Sequence, residues 1–266
     1  MSVAGSTLRA TPSLLKVGFA EMVAYRAEMV VWILTATLPL VALALWNAAA
    51  VAGPLEGFGQ DEFARYFTVT LVVRQLTSCW IVWELNHYVR TGSLSPMLLR
   101  PMHPLFWNLC ETLAAIPFRL VVLAPIVGAL LWWRPQIAFW PGSEAVLLGT
   151  VSVVMAFLLA WVVQALFGML AFWFEQALGF FNLWFVALAV IGGYVIPLPL
   201  LPEGVEAVAR WLPFHAALGA PIEVWMETAP DPWSVVGIQA LWLLAALLTA
   251  RVLWRRGVRR YGAVGA

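Results

Sequence analysis

Between residues 145 and 201 the chain carries one charged side chain, Glu175. No water-facing side can be drawn along such a run, so it does not belong to a soluble element. It is also too long for one membrane crossing, because a hydrocarbon core of about 30 Å takes about 20 helical residues. The run therefore has to be two helical spans, divided near Glu175 at 145–174 and 178–198. The rest of the chain agrees. Hydrophobic residues make up 63% of the sequence and charged residues 11%, against about 25% charged in a soluble domain, and the mean hydropathy is +0.88.

The same reading places further spans at 29–52, 63–85, 105–133 and 232–250. The expected fold class is an all-α integral membrane protein of six transmembrane helices in a single domain, 1–266. Residues 1–28 precede the first span, 29–85 hold spans one and two, and 86–104 form an elbow. Residues 105–198 hold spans three to five, 199–231 a second extramembrane segment, 232–250 span six and 251–266 a basic tail. An even number of spans puts both termini on one side. That side collects Arg9, Lys16, Arg26, Arg90, Arg100, Arg251, Arg255, Arg256, Arg259 and Arg260. The opposite loops hold Arg134, Arg210 and acidic residues that include Asp61, Glu62, Glu144, Glu203, Glu206, Glu223 and Glu227. Basic residues stay cytoplasmic, so both termini are expected inside. No cleavable leader is visible, since Arg9, Lys16, Glu21, Arg26 and Glu28 interrupt the first residues.

Three segments lie outside these spans. At the N-terminus, Thr11 and Pro12 read as a helix start, with Leu8, Thr11, Leu15, Phe19 and Met22 on one face of an interfacial helix. The second is RTGSLSPMLLRPMHPL, residues 90–105. Gly92 ends span two, Ser95 and Pro96 start a helix of little more than one turn, and Pro101 stops it. A helix so short is unstable alone. Its leucines, Leu94, Leu98 and Leu99, point to docking on its own bundle, the lipid surface or another protein. The third runs from 197 to 232 and is punctuated by prolines. Val205, Val208 and Leu212 share one face there and Glu203, Glu206 and Arg210 the other, so short external helices are expected.

Catalytic patterns are missing. Lys16, the one lysine, stands in SLLKVG without the glycines of a phosphate-binding loop, so the chain does not hydrolyse ATP itself and is not expected to be an enzyme. No nucleophile elbow surrounds a serine. Glu84 and His87 make one Glu-x-x-His pair where a di-iron bundle needs two, so no metal and no bound cofactor are expected. Cys79 and Cys110 sit in apolar runs and read as buried thiols. Nothing points to a nucleic-acid partner. What remains is a set of intramembrane charges, Arg74, Glu111 and Arg119, which are costly at depth and usually face a partner or a wet path. Two readings stay open: Arg74 or Arg119 lines a path, or a structural pair such as Arg74 with Glu111 joins spans two and three.

The layout resembles the membrane permeases of ABC type-2 exporters that lack a fused ATPase domain. The resemblance is carried by the order of elements along almost the whole chain. In the elbow it rests on a basic residue, Gly, Leu and then Leu-Leu-Arg-Pro, here Arg90, Gly92, Leu94, Leu98, Leu99, Arg100 and Pro101. IPLPLLPEGVEAVARWLPFH is similar to the family's stretch after span five. The resemblance implies that the elbow is a coupling helix seated in a groove of an ABC ATPase subunit dimer, which holds ATP and Mg. It also implies a second permease, identical or related, in a bacterial cytoplasmic membrane. Glu84 is then a link from the elbow to the N-terminal helix, through Arg9, Lys16 or Arg26. Thr70, Arg74, Thr77, Phe181 and Phe185 are the candidate path residues for an amphiphilic or lipophilic cargo in contact with membrane lipid. A six-span secondary transporter or channel working without ATP is the alternative; it needs a broken-helix ion site. A structural assembly subunit is a third class.

Overall fold

The computed structural model describes residues 3–24 and 38–264. Apart from their connections these residues are helical, and the only β pairing among them is an isolated bridge between Leu55 and Phe58. Residues 29–37 of the expected span 29–52, with Arg26 and Glu28 ahead of it, lie outside the described residues, as does the side chain of Arg9.

The order is α1 (Val3–Ala24), α2 (Leu38–Ala49), α3 (Gln60–Thr77), α4 (Ile81–Thr91), α5 (Leu94–Leu98), α6 (Pro104–Ala114) and α7 (Ile116–Trp133). It continues with α8 (Ser143–Met169), α9 (Ala177–Ile191), α10 (Glu203–Ala209), α11 (Ala220–Trp225) and α12 (Pro232–Val264), with a wide π-type turn at His215–Gly219 before α11. Among the described residues, three stretches are long and apolar enough to cross a membrane: Pro104–Trp133, Ser143–Phe172 and Pro232–Tyr261. Leu38–Ala52 and Ala177–Ile191 are apolar but shorter.

The charge-free run makes α8 the axle of the bundle. It packs against α3, α4, α9, α11 and α12, and residues such as Leu159, Ala156 and Ser152 are almost wholly buried. Close approach needs small residues at the contacts. A Cβ on Gly149 would collide with the indole of Trp225 on α11, and one on Gly168 would fall 3.0 Å from Cβ of Leu85 on α4. By contrast Leu183, Val186, Leu241, Leu244 and Leu248, on α9 and α12, are exposed, as lipid-facing helices require.

The bundle has two chemically distinct ends. One gathers the elbow, the end of α8 and the Arg-rich end of α12. The other gathers Asp61, Glu144, Glu206, Glu223 and Glu227. Arg134 meets Asp61 at 3.6 Å there, and the Trp233 indole donates to Glu144 at 3.0 Å. At that acidic end a stack of Trp46, Phe58, Phe63 and Phe67 fills the core.

Four expectations are corrected. Residues 63–85 are not one helix, because the chain breaks at Ser78–Trp80, where Ser78 is extended. The Thr77 and Ser78 hydroxyls bond back to the carbonyls of Val73 and Arg74, a competition that weakens a helix end. Span five stops at Ile191 rather than 198, since Gly193 adopts φ +87 and the prolines follow. The segment 251–266 is not a separate tail. Helix α12 has 33 residues, about 50 Å at 1.5 Å per residue, so it runs well past the hydrocarbon core. In α1 the helix passes through Pro12 instead of starting there; proline deletes only one intrahelical bond. Its packed face is Leu14, Leu15, Gly18 and Met22, while Phe19 is 45% exposed. Gly18 takes the inner position because it lets α1 lie directly on Glu111 and Ala114 of α6.

Candidate functional site

The elbow is built as the prolines and glycine dictate. Gly92 caps α4 in the left-handed conformation at φ +80, the shape glycine adopts without strain. Five residues then form α5, and His103 caps α6 by accepting from the Leu105 amide at 3.2 Å. Leu94 is completely buried among Ile81, Leu85 and Met169, and Leu98 packs at the edge of the same cluster. These two leucines hold the elbow onto its own bundle. Leu99 is different, with 87% of its surface exposed, next to exposed Arg100 and Pro101. The outward surface of the elbow is therefore Leu99, Arg100 and Pro101, with Pro96.

The far end of α12 braces this element. Tyr261 Oη lies 3.0 Å from Ser95 Oγ, Trp254 packs on His103 with ring centroids 4.7 Å apart, and Gly257 lets the helix close on Phe172. Arg90 donates to the carbonyl of Glu175, tying the elbow to the connection after α8. A recess of about 690 Å³ lies between the elbow and α12, with Arg90, Gly92, Leu99, Arg260 and Tyr261 on its walls. Glu84 of α4 reaches across to α6. It accepts from Asn108 on α6, and Asn108 accepts from the Trp161 indole of α8 at 2.9 Å. Among the described candidates for the expected link, Lys16 is exposed; Arg9 and Arg26 lie outside the described side chains.

The intramembrane charges have separate partners. Glu111 accepts from the Trp107 indole on its own helix, and no ion pair joins it to Arg74 among the described residues. The expected pair is thus replaced by aromatic contacts. Arg74 sits 5.7 Å from the ring centroids of both Phe185 and Tyr194, and its buried Nε has no hydrogen-bond partner. Arg119, 3% exposed, lies over the Trp80 ring at 4.9 Å and donates to the carbonyl of Ser78, in the break between α3 and α4. A desolvated contact of that kind contributes about 2 kcal/mol.

These groups surround a cavity of about 370 Å³. Its polar wall is Arg74, Gln75, Arg119 and Gln164, and its aromatic wall is Trp80, Trp83, Phe181, Phe185 and Tyr194. Of the expected path residues, Arg74, Phe181 and Phe185 come together here. Thr77 lines a small adjoining pocket with the same three, and Thr70 is buried with its hydroxyl bonded to Tyr66 O. The sequence reading missed Tyr194 and Trp80. Tyr194 enters because the chain turns at Gly193, and Trp80 because the helix breaks beside it.

At the opposite end, Arg210 bridges Glu206 and Glu223, each at 2.7 Å, and His215 Nε2 lies 3.2 Å from the same Glu223 oxygen. Burial alone would raise the Glu223 pKa. The His215 imidazole 3.2 Å away and the Arg210 guanidinium at 2.7 Å outweigh it and hold the carboxyl below its ordinary value.

The profile of the ABC-2 family of transporter proteins matches residues 30–265. The chain belongs to the ABC-2 transporter family. The match takes in the break, the cavity, the elbow and α12 together. No curated protein matches it. Among the described residues of this ABC-2 protein no cluster of His, Cys, Asp and Glu can hold a metal ion.

Proposed function

We propose that this chain is the transmembrane permease of an ATP-driven exporter. It works with two ATPase subunits that carry ATP and Mg, and with a second permease, identical or related. In this reading the chain crosses the bacterial cytoplasmic membrane six times with both termini inside. The elbow engages the ATPase through Leu99, Arg100 and Pro101, with Arg90 and Gly92 shaping its hinge. Closure of the ATPase pair moves α4 and α5 and, through Tyr261 and Trp254, the end of α12. The break at Ser78–Trp80 gives α4 a joint on which to move relative to α3. An amphiphilic or lipophilic cargo passes by the cavity at that joint.

The observation that carries the reading is the fully exposed Leu99, flanked by Arg100, at the basic end of a chain of this family. An isolated apolar side chain flanked by a charged arginine suits the groove of a protein partner.

The broken helix is the feature that a secondary transporter would also use. Here, however, the freed Ser78 carbonyl is taken by a guanidinium, and no carboxylate lines the cavity among the described residues. A cation-coupled site needs the reverse charge. The test is co-purification of the tagged permease with the ATPase encoded beside it, with and without Arg100→Glu and Leu99→Asp. Association in the wild type and its loss in both variants supports the proposal; no association under any condition overturns it.

A further inference from the structure

We infer that the cavity at the break between α3 and α4 is a binding site for an amphiphile with an anionic head, a carboxylate or a phosphate, and an apolar or aromatic body. This rests on the permease reading and names the class of cargo for it. Three independent features carry it.

The first is uncompensated positive charge. Arg74 and Arg119 both face the cavity. Neither is in a salt bridge among the described residues, so two like charges share one cavity. Buried charges are normally paired. Arg119 is accounted for in part by Ser78 O and Trp80, but these contacts are neutral. Arg74 has two rings and a buried Nε–H without an acceptor. An anion between the two guanidinium groups would relieve the repulsion and supply that acceptor; Arg is the residue suited to planar, two-point contact with carboxylate or phosphate.

The second is a further unpaired polar atom. Gln164 is 6% exposed and lines the cavity, and its Oε1 has no partner. A protonated phosphate or a hydroxyl beside the charged head satisfies it. The third is the shape. About 370 Å³ lies within the range of small-molecule sites, and the five rings that line it give apolar surface for a chain or ring. Metal cations and cationic amphiphiles are disfavoured by the same arrangement.

The test uses the full chain in nanodiscs of neutral phosphatidylcholine. Binding is measured for a tail-matched set, octyl phosphate, octanol and octyltrimethylammonium, with inorganic phosphate as the head alone. The expected result is saturable binding of octyl phosphate, at least about tenfold tighter than octanol, and none of the cation. Inorganic phosphate should bind far more weakly than octyl phosphate. Arg74→Gln should weaken octyl phosphate by about tenfold or more while Arg74→Lys retains most of it. Arg119→Gln also opens the Ser78 carbonyl and can fail to fold, so the deciding variants are those at position 74. Equal binding of octanol and octyl phosphate, or an Arg74→Gln variant that binds as wild type, overturns the inference. If inorganic phosphate alone matches octyl phosphate, the ligand is an aqueous anion and the amphiphile is overturned. The wild-type chain is assayed in parallel for ATPase association. Binding lost with association intact defeats this inference alone, and absent association defeats the exporter reading whatever the cavity binds.

Discussion

Gln239 is 1% exposed in the third turn of α12 and uses its whole amide. Its Nε2 donates to Ala216 O at 2.8 Å and to Ser152 O at 3.2 Å, and its Oε1 accepts from Ser152 Oγ at 2.7 Å. One side chain therefore ties α12 to α8 and to the π-type turn that leads into α11. Replacing it by leucine keeps the volume and deletes all three bonds. Interhelical hydrogen bonds in membrane proteins contribute about 0.6 kcal/mol each on average, and about 1.7 at most. The expected loss is about 2 kcal/mol, roughly thirtyfold in the folding equilibrium. A reversible sodium dodecyl sulfate titration followed by circular dichroism measures it. Part of the loss comes from stranding the fully buried Ser152 hydroxyl, and removing both partners of a buried bond is less damaging than removing one. Ser152→Ala in the Gln239→Leu background should therefore recover stability, although Ser152→Ala alone lowers it. A Gln239→Leu chain as stable as wild type, or a double variant showing the simple sum of the single losses, would refute the clamp.

Other positions carry sharper steric or ionic expectations. Gly149→Ala drives a methyl group into the Trp225 indole, and overpacking of this kind costs about 1–3 kcal/mol; Trp225→Leu should restore the double variant in the same titration. The depressed pKa of Glu223 stabilises the fold fully above the ordinary glutamate value of about 4.3. That contribution is lost as pH falls through the lower folded value. The acid limb of a thermal-stability profile should flatten in Glu223→Gln, which is also less stable at neutral pH because Arg210 loses its buried partner; an unchanged limb would contradict the cluster. At the surface, Asp61→Asn should change stability by less than about 1 kcal/mol, since its 3.6 Å contact with Arg134 is exposed.

What the sequence disclosed depended on whether the signal was local. Helix α8 was legible because a charge-free run of that length has one physical solution. The elbow was legible because Gly92, Pro96 and Pro101 each restrict the backbone where they stand. The sorting of Arg and Glu to opposite ends followed from their order along the chain. The break at Ser78–Trp80 was not legible, because Thr, Ser and Cys are all tolerated within helices. What stabilises the break is Arg119, 41 residues away. Nor could depth alone reveal that Arg74 would rest on Phe185 and Tyr194 instead of meeting Glu111, since a cation over aromatic rings leaves no mark in charge patterning. Gly18 displaced Phe19 from the packed face of α1 for a related reason: hydrophobicity favours phenylalanine inside, while close helix approach favours glycine. The arginines past residue 250 looked like a solvated tail, yet Trp254, Gly257 and Tyr261 recur on one face of α12 and make it a brace for the elbow.

The central claim is that the elbow passes the work of an ATPase into the bundle, and it is tested most directly by site-specific cross-linking. The two native thiols, Cys79 and Cys110, are buried, so a single exposed cysteine can be introduced at Leu99 on the elbow or at Val208 on α10, at the opposite end of the bundle. The permease is co-expressed with its neighbouring ATPase, and a short bifunctional maleimide is added in the presence and absence of a non-hydrolysable nucleotide. The account predicts a permease–ATPase product from Leu99→Cys whose yield changes with nucleotide, and none from Val208→Cys. A product from Val208→Cys, or none from Leu99→Cys when the two proteins co-purify, would contradict it.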